Sequence, residues 1–234
     1  MTTSKLHFDV LPISQRRLWD ELIAVPGTFV LYGGTAIALY LGHRESVDFD
    51  FFGSERFDPD DLYRTVPFLA DSEVIQKSAN TLTCLVDRGG DVLVSFFGVP
   101  DIVQIEKPLI AGNGLKIASL VDLAGMKVSV IQKRAEAKDY IDIDAIIRDG
   151  VIDLPLALAA GRRIYGRSFN PEITLKALSF FEDGNLNTLP QEVRGRLGRI
   201  VRAVDLDRLP FIEQKVGSMI WGGNDEGSPF DAGI

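Results

Sequence analysis

Two neighbouring pieces of sequence decide the fold: Leu31-Tyr32-Gly33-Gly34-Thr35-Ala36, and a little further on Arg44-Glu45-Ser46-Val47-Asp48-Phe49-Asp50-Phe51-Phe52. Thr28 to Tyr32 is short, apolar and rich in β-prone residues, which predicts a buried strand. The strand stops at the diglycine. Thr35 is a good capping residue for a short helix over Ala36 to Leu41, and Gly42 ends it. Val47 to Phe52 then predicts a second strand. Strand side chains alternate between faces, so Asp48 and Asp50 point the same way, roughly 7 Å apart at Cα, while Phe49 and Phe51 point into the core.

This arrangement has a chemical reading. Glycines let a backbone approach a phosphate closely, and free N–H groups at a helix start attract anions. Gly33 and Gly34, with the Thr35 hydroxyl, therefore form a candidate phosphate cradle. Aspartate is a poor strand former, so two of them in an aromatic strand need a partner. Two converging carboxylates suit Mg²⁺, which keeps several waters and takes its other ligands from substrate phosphates. The alternative is structural: the diglycine is a turn, and Arg44 pairs with a solvated Asp-x-Asp edge.

Composition excludes several classes. The chain has 234 residues, 46% of them hydrophobic and 25% charged, as in an ordinary globular protein. No apolar run approaches the roughly 20 residues that span a bilayer, and Met1 to Lys5 leads into no signal core, so neither a membrane protein nor a secreted one is expected. Cys84 is the sole cysteine, which excludes a disulfide framework and a cysteine zinc site; His7 and His43 lie far apart with no ligand spacing. The expectation is a reducing, cytoplasmic location. With 25 basic and 33 acidic residues the net charge is −8, wrong for a general nucleic-acid coat but compatible with a local basic patch for one nucleotide or one RNA end.

Elsewhere, Asp58-Pro59-Asp60-Asp61 opens a helix running to about Ala70. Glu73 to Gly98 reads as three strands, turning at Asn80 and at Arg88-Gly89-Gly90-Asp91. Short edge strands are expected at Val103 to Ile105 and at Leu115 to Ile117. The pattern then changes. Ser119 and Asp122 resemble a capping box before apolar residues at helical spacing, and further helices are expected over 139–148, 154–165, 171–182 and 190–203. Gly125 inside the first of these costs about 1 kcal/mol relative to alanine, which points to a close approach. Lys127, among apolar neighbours, either snorkels to the surface or projects into a cleft and holds a triphosphate. Asp139 and Asp142 share a helix face, and Lys138 is spaced to pair with Asp142. The arginines at 162, 163, 167, 194, 196, 199 and 202 concentrate positive charge in the helical half, as a partner surface or as helix faces paired with acids. His43 reads as a solvated loop residue; Trp19 and Trp221 read as packing residues, and Cys84 as core.

The Gly-Gly, Asp-x-Asp order resembles the nucleotidyltransferase superfamily that includes DNA polymerase beta. More narrowly, Gly33-Gly34-Thr35, Arg44-x-Ser46-x-Asp48-x-Asp50, Asp122 to Lys127 and Lys138-Asp139-Tyr140-Ile141-Asp142 resemble the AbiEii/AbiGii toxin family, over residues 28–150. The resemblance implies an α+β fold, with a polymerase-beta-like mixed sheet and flanking helices in residues 1–150; the helical spacing beyond predicts a helical bundle in 151–222, and the Gly-, Asp- and Ser-rich end a flexible tail in 223–234. It implies Mg²⁺-dependent transfer of an NMP from an NTP to an RNA (tRNA) or protein acceptor, and a cognate antitoxin as partner. Asp48 and Asp50 would hold metal; Gly33, Gly34, Thr35, Arg44 and Ser46 would bind nucleotide; Lys127, Asp139 and Asp142 would complete the catalytic set. Such enzymes usually carry a third metal acid on a neighbouring strand, and here that position reads Ser95, with Asp91 some 13 Å away along the strand. Either Asp139 or Asp142 replaces it or catalysis is weakened, which leaves a second reading: a nucleotide- or partner-binding protein without turnover.

Overall fold

The computed structural model describes residues 6–100 and 102–213; the expected tail, Trp221 and the end of the expected bundle lie outside them. Seven strands form one mixed sheet in the order β3-β4-β5-β2-β1-β7-β6: β1 Phe29–Tyr32, β2 Asp48–Gly53, β3 Glu73–Ser78, β4 Thr81–Asp87, β5 Asp91–Gly98, β6 Leu109–Ile110 and β7 Lys116–Ile117. The wholly buried β1 lies at the centre of the chemistry, antiparallel to β2, and β2 runs parallel to β5. Asn80 turns with φ +59°, as Asn tolerates. The expected strand at 103–105 does not form. That segment instead crosses the start of the next helix, where Asp122 accepts hydrogen bonds from the backbone N–H groups of Ile105 (2.7 Å) and Glu106 (3.1 Å).

The helices are α1 Ile13–Trp19, α2 Gly33–Leu41, α3 Pro59–Thr65, α4 Leu120–Val130, α5 Ala137–Asp149, α6 Leu154–Tyr165, α7 Pro171–Ala177 and α8 Gln191–Arg202. Asp58 caps α3 through the N–H groups of Asp60 and Asp61, and Ser119 caps α4 through that of Asp122. α3 is shorter than its pattern predicts, because Val66-Pro67 bends the chain into a separate 3-10 turn. α7 stops at Ala177, five residues short of the expected end at 182. Trp19 packs against Phe8 and Phe49, and Cys84 is buried. Between residues 154 and 202 helices dominate and no strand forms, as expected from the change of period.

The buried apolar residues of both halves join in one core. The joint is Gly125: a Cβ there would stand 2.8 Å from the carbonyl carbon and the Cβ of Ala160 and from Ile164 Cδ1. The close approach hinted at by a glycine in mid-helix is thus α6 lying on α4. On the far side, Arg196 on α8 reaches Asp144 on α5 with two hydrogen bonds of 2.8 and 2.7 Å. Arg194 is used up on the carbonyls of Leu186 and Asn187, so part of the arginine concentration serves packing. Gly125→Ala should therefore lower the unfolding midpoint. The helix-propensity gain of about 1 kcal/mol is set against overpacking of about 1–3 kcal/mol at a backbone contact; a denaturant titration in which the variant is more stable would contradict this packing.

Candidate active site

The site forms where β1 and β2 end. Gly33 adopts φ +72°, a left-handed conformation suited to glycine, and a Cβ on it would lie 2.5 Å from Asp50 Oδ2. A Cβ on Gly34 would collide with the Arg44 guanidinium and come within 3.5 Å of Ser46 Oγ. Gly33 is thus required by its backbone as well as by Asp50, while a side chain at Gly34 would displace the Arg44 guanidinium. The Gly33 turn also starts α2 earlier than expected. Thr35 does not cap the helix: it lies inside it, its hydroxyl 2.8 Å from Ser46 Oγ and bonded to the Asp48 carbonyl. Thr35 and Ser46 therefore lock the entry to β2.

Asp48 and Asp50 stand on the same face of β2, half-buried. Asp50 pairs in register with Tyr32 on one side and Ser95 on the other. The strand position expected to carry a third acid is therefore adjacent to Asp50, and it holds a buried hydroxyl 3.3 Å from that of Thr83. Burial, followed by the Asp48 charge, pushes the Asp50 carboxyl up to about 6, against the favourable charges of Lys127, Lys138 and Arg134. Burial also raises Asp48, opposed by Lys138 and then Arg44. Among the described residues neither carboxylate has an ion-pair partner.

Asp139 and Asp142 are placed in the opposite condition. Both side chains are fully buried on α5. Lys127, on α4, lies between them, its ammonium 2.9 Å from Asp139 Oδ1 and 2.9 Å from Asp142 Oδ2. Arg134 donates to Asp139 at 2.9 Å from Nε and 3.3 Å from Nη2. Arg44 grips Asp142 with both prongs, at 2.7 and 3.0 Å, and His43 Nε2 lies 2.7 Å from the same carboxylate. Burial opposes ionisation of Asp142, but Lys127, His43 and Arg44 outweigh it and hold the carboxyl well below the usual range; Lys127 and Arg134 do the same for Asp139. Burial would likewise pull the Lys127 ammonium down, and Asp142 and Asp139 raise it instead.

Several expectations change accordingly. Lys127 does not face an open groove; its side chain is only 8% exposed and bridges two acids. Arg44 pairs with Asp142 rather than with the Asp-x-Asp edge. Lys138 does not pair with Asp142; it lies 3.1 Å from Glu136 at the start of α5. His43 is not solvated, with 3% of its side chain exposed. The oxygens of Asp139 and Asp142, expected to serve as an extra metal ligand or a base, are engaged by Lys127, Arg134, Arg44 and His43. Lys138, whose charge acts on both Asp48 and Asp50, was not among the expected site residues. Its adjacency to Asp139 was the available signal. A cavity of about 180 Å³ lined by Pro26, Phe29, Phe57 and Leu62 lies at the other end of β1 and β2, remote from this chemistry.

A strand–diglycine–helix unit is thus followed by an Asp-x-Asp strand in the interior of the sheet, between β5 and β1. The sequence matches the family described as "Nucleotidyl transferase AbiEii toxin, Type IV TA system" over residues 17–215, and the chain belongs to that family. It is 30% identical over 179 residues to an uncharacterised protein of Aquifex aeolicus (strain VF5), a match covering 72% of this chain and 82% of that protein. The fold is similar to MenT4, a nucleotidyltransferase toxin from Mycobacterium tuberculosis (TM-score 0.55, 16% identity, 83% of this chain and 84% of the other). It is also similar to JHP933 from Helicobacter pylori (TM-score 0.53, 17% identity, 81% and 88%). Among the described residues no helix is long and apolar enough to cross a membrane.

Two predictions follow from the electrostatics. Lys127→Ala strands two buried carboxylates and should destabilise the fold by about 3–5 kcal/mol, read as a lowered denaturation midpoint; a midpoint equal to wild type would remove Lys127 from the network. The second concerns pH. Asp50 has an ordinary value of 3.8 and a folded value of about 6, so in that window the folded chain holds more protons than the unfolded one. Stability contributed by Asp50 in metal-free protein therefore falls as pH rises from about 4 to about 6. The stability gain of Asp50→Asn over wild type should grow across that window and then level off; a gain independent of pH would disprove the shift.

Proposed function

We propose that the protein is a Mg²⁺-dependent toxin that moves an NMP from an NTP onto an RNA or protein acceptor, releasing pyrophosphate. The observation that carries this reading is the contrast between two aspartate pairs. Asp139 and Asp142 are saturated with cations, whereas Asp48 and Asp50 repel each other with no ion-pair partner among the described residues. A divalent cation resolves that repulsion. Nucleotidyltransferases generally use one, and two hard oxygen donors fit Mg²⁺ better than a softer metal. No group of three or more acidic, histidine or cysteine ligands occurs among the described residues, so water and nucleotide phosphates would fill the remaining positions. When bound, the ion would neutralise developing charge on the phosphoryl oxygens.

The chain's own residues supply the rest. Gly33 and Gly34 bring the free N–H groups of α2 to the carboxylates, where they attract phosphate. Thr35 and Ser46 fix the backbone of Asp48, and Arg44 ties that loop to α5. Lys127 adds positive potential behind Asp50 without leaving its buried acids. The acceptor oxygen attacks the α-phosphorus as the bond to pyrophosphate breaks. NTP and acceptor are the substrates of this reading, an antitoxin protein encoded with the toxin is its partner, and the cytoplasm, which holds the nucleotide pool, is its location. Binding without turnover rests on Ser95 alone, and membership of a nucleotidyltransferase family argues against it.

Incubation with each α-labelled NTP, Mg²⁺ and total RNA or protein tests the proposal. Asp48→Asn and Asp50→Asn should each reduce label transfer by roughly a thousandfold while leaving the fold intact. Transfer by both variants at the wild-type rate would refute the metal assignment.

A further inference from the structure

Four cations act on the Asp48–Asp50 pair: Arg44, Lys127, Arg134 and Lys138. Three of them are committed. Arg44 is bidentate on Asp142, Lys127 bridges Asp139 and Asp142, and Arg134 holds Asp139. Moving any of these towards a ligand would leave a fully buried carboxylate without its counter-charge, which is strongly destabilising. Lys138 differs in each respect. It lies in the first turn of α5, next to Asp139, which fixes its backbone beside the site. Its side chain is half exposed, and its contact is Glu136, itself 39% exposed, at 3.1 Å. Exposed pairs of that kind hold weakly.

Resting on the nucleotidyltransferase reading above, we infer that Lys138 is the residue that grips the nucleotide's triphosphate, exchanging Glu136 for the β- and γ-phosphates when the metal–nucleotide complex arrives. The chemistry fits. A Mg²⁺–NTP complex still carries negative charge, and an ammonium on a flexible four-carbon stem with three donors can follow the phosphates and then the departing pyrophosphate. From the first turn of α5, beside Asp139, the ammonium's charge reaches both Asp48 and Asp50 and favours their ionised forms. Glu136 keeps it ready and, being half exposed, gives it up easily. Lys127 stays in place and acts through the buried network.

Calorimetry with Mg²⁺ compares a non-hydrolysable NTP with the matching NMP on wild type, Lys138→Ala, Lys138→Arg and Glu136→Gln, with the thermal midpoint of each recorded. Lys138→Ala should weaken NTP binding about tenfold, the worth of one charge-assisted contact, leave NMP binding and the thermal midpoint about unchanged, and be rescued in part by Lys138→Arg. Glu136→Gln should tighten NTP binding. Equal NTP affinity in wild type and Lys138→Ala overturns the assignment, and so does an equal loss for NMP and NTP. No Mg²⁺-dependent NTP binding by wild type overturns the nucleotidyltransferase reading itself, and this one with it.

Discussion

Lys127 is a single ammonium buried between two buried carboxylates, and the site is built around that fact. Burial works against charge on all three; Lys127, with Arg134, Arg44 and His43, holds the two acids ionised, and the acids hold Lys127 protonated. The pair on one face of α5 fixes how α5 lies on α4. Arg44 then reaches the same cluster from the loop before β2, and Arg134 closes it from the turn before α5. One ion cluster therefore registers two helices and a strand entry against each other. Its Lys127 contacts, both 2.9 Å, tie α4 to α5, and Arg44 ties the loop before β2, the strand of Asp48 and Asp50, to one of the same acids.

The two aspartate pairs show how the same residue serves opposite ends. On α5 the carboxylates are fully buried, fully compensated and lowered. On β2 they are partly open, uncompensated and raised. Under the function proposed above, a cation bound by the uncompensated pair would relieve its repulsion. Ser95 moderates it. A third acid in register beside Asp50 would add another charge to a carboxyl already pushed up to about 6; a hydroxyl bonded to Thr83 does not. The sheet position is filled by a polar group that keeps the row of residues across β4, β5, β2 and β1 intact without more charge.

The parts legible in the sequence were those set by local chemistry. The strand, the diglycine, the Asp-x-Asp strand, the Asn80 turn and the Asp58 and Ser119 caps each follow from a few adjacent residues. Where local rules misled, a tertiary contact had overruled them. The i,i+4 rule paired Lys138 with Asp142, but Arg44, Lys127 and His43 had filled Asp142 from outside the helix. Thr35 looked like a cap because its hydroxyl needs a partner, and it found two in Ser46 and Asp48 once Gly33 had started the helix early. The segment at 103–105 had strand composition, yet the N–H groups of Ile105 and of Glu106 beyond it went to Asp122 on α4. No spacing within one element reports such partners.

The helical half matters to this site through α5. Successive residues on a helix are about 100° apart, so Asp142 and Asp144 point about 200° apart, to nearly opposite sides. Asp142 faces Lys127, Arg44 and His43; Asp144 faces Arg196 on α8. α5 is thus held by ion pairs on both sides, one set belonging to the site and the other to the C-terminal helices. α4 is held in the same manner, with Lys127 directed at the acids and Gly125 closed against Ala160 on α6. The family match extends through α8 to residue 215, and the contacts explain why it should. α6 and α8 hold the other faces of the two helices that carry Lys127, Asp139 and Asp142.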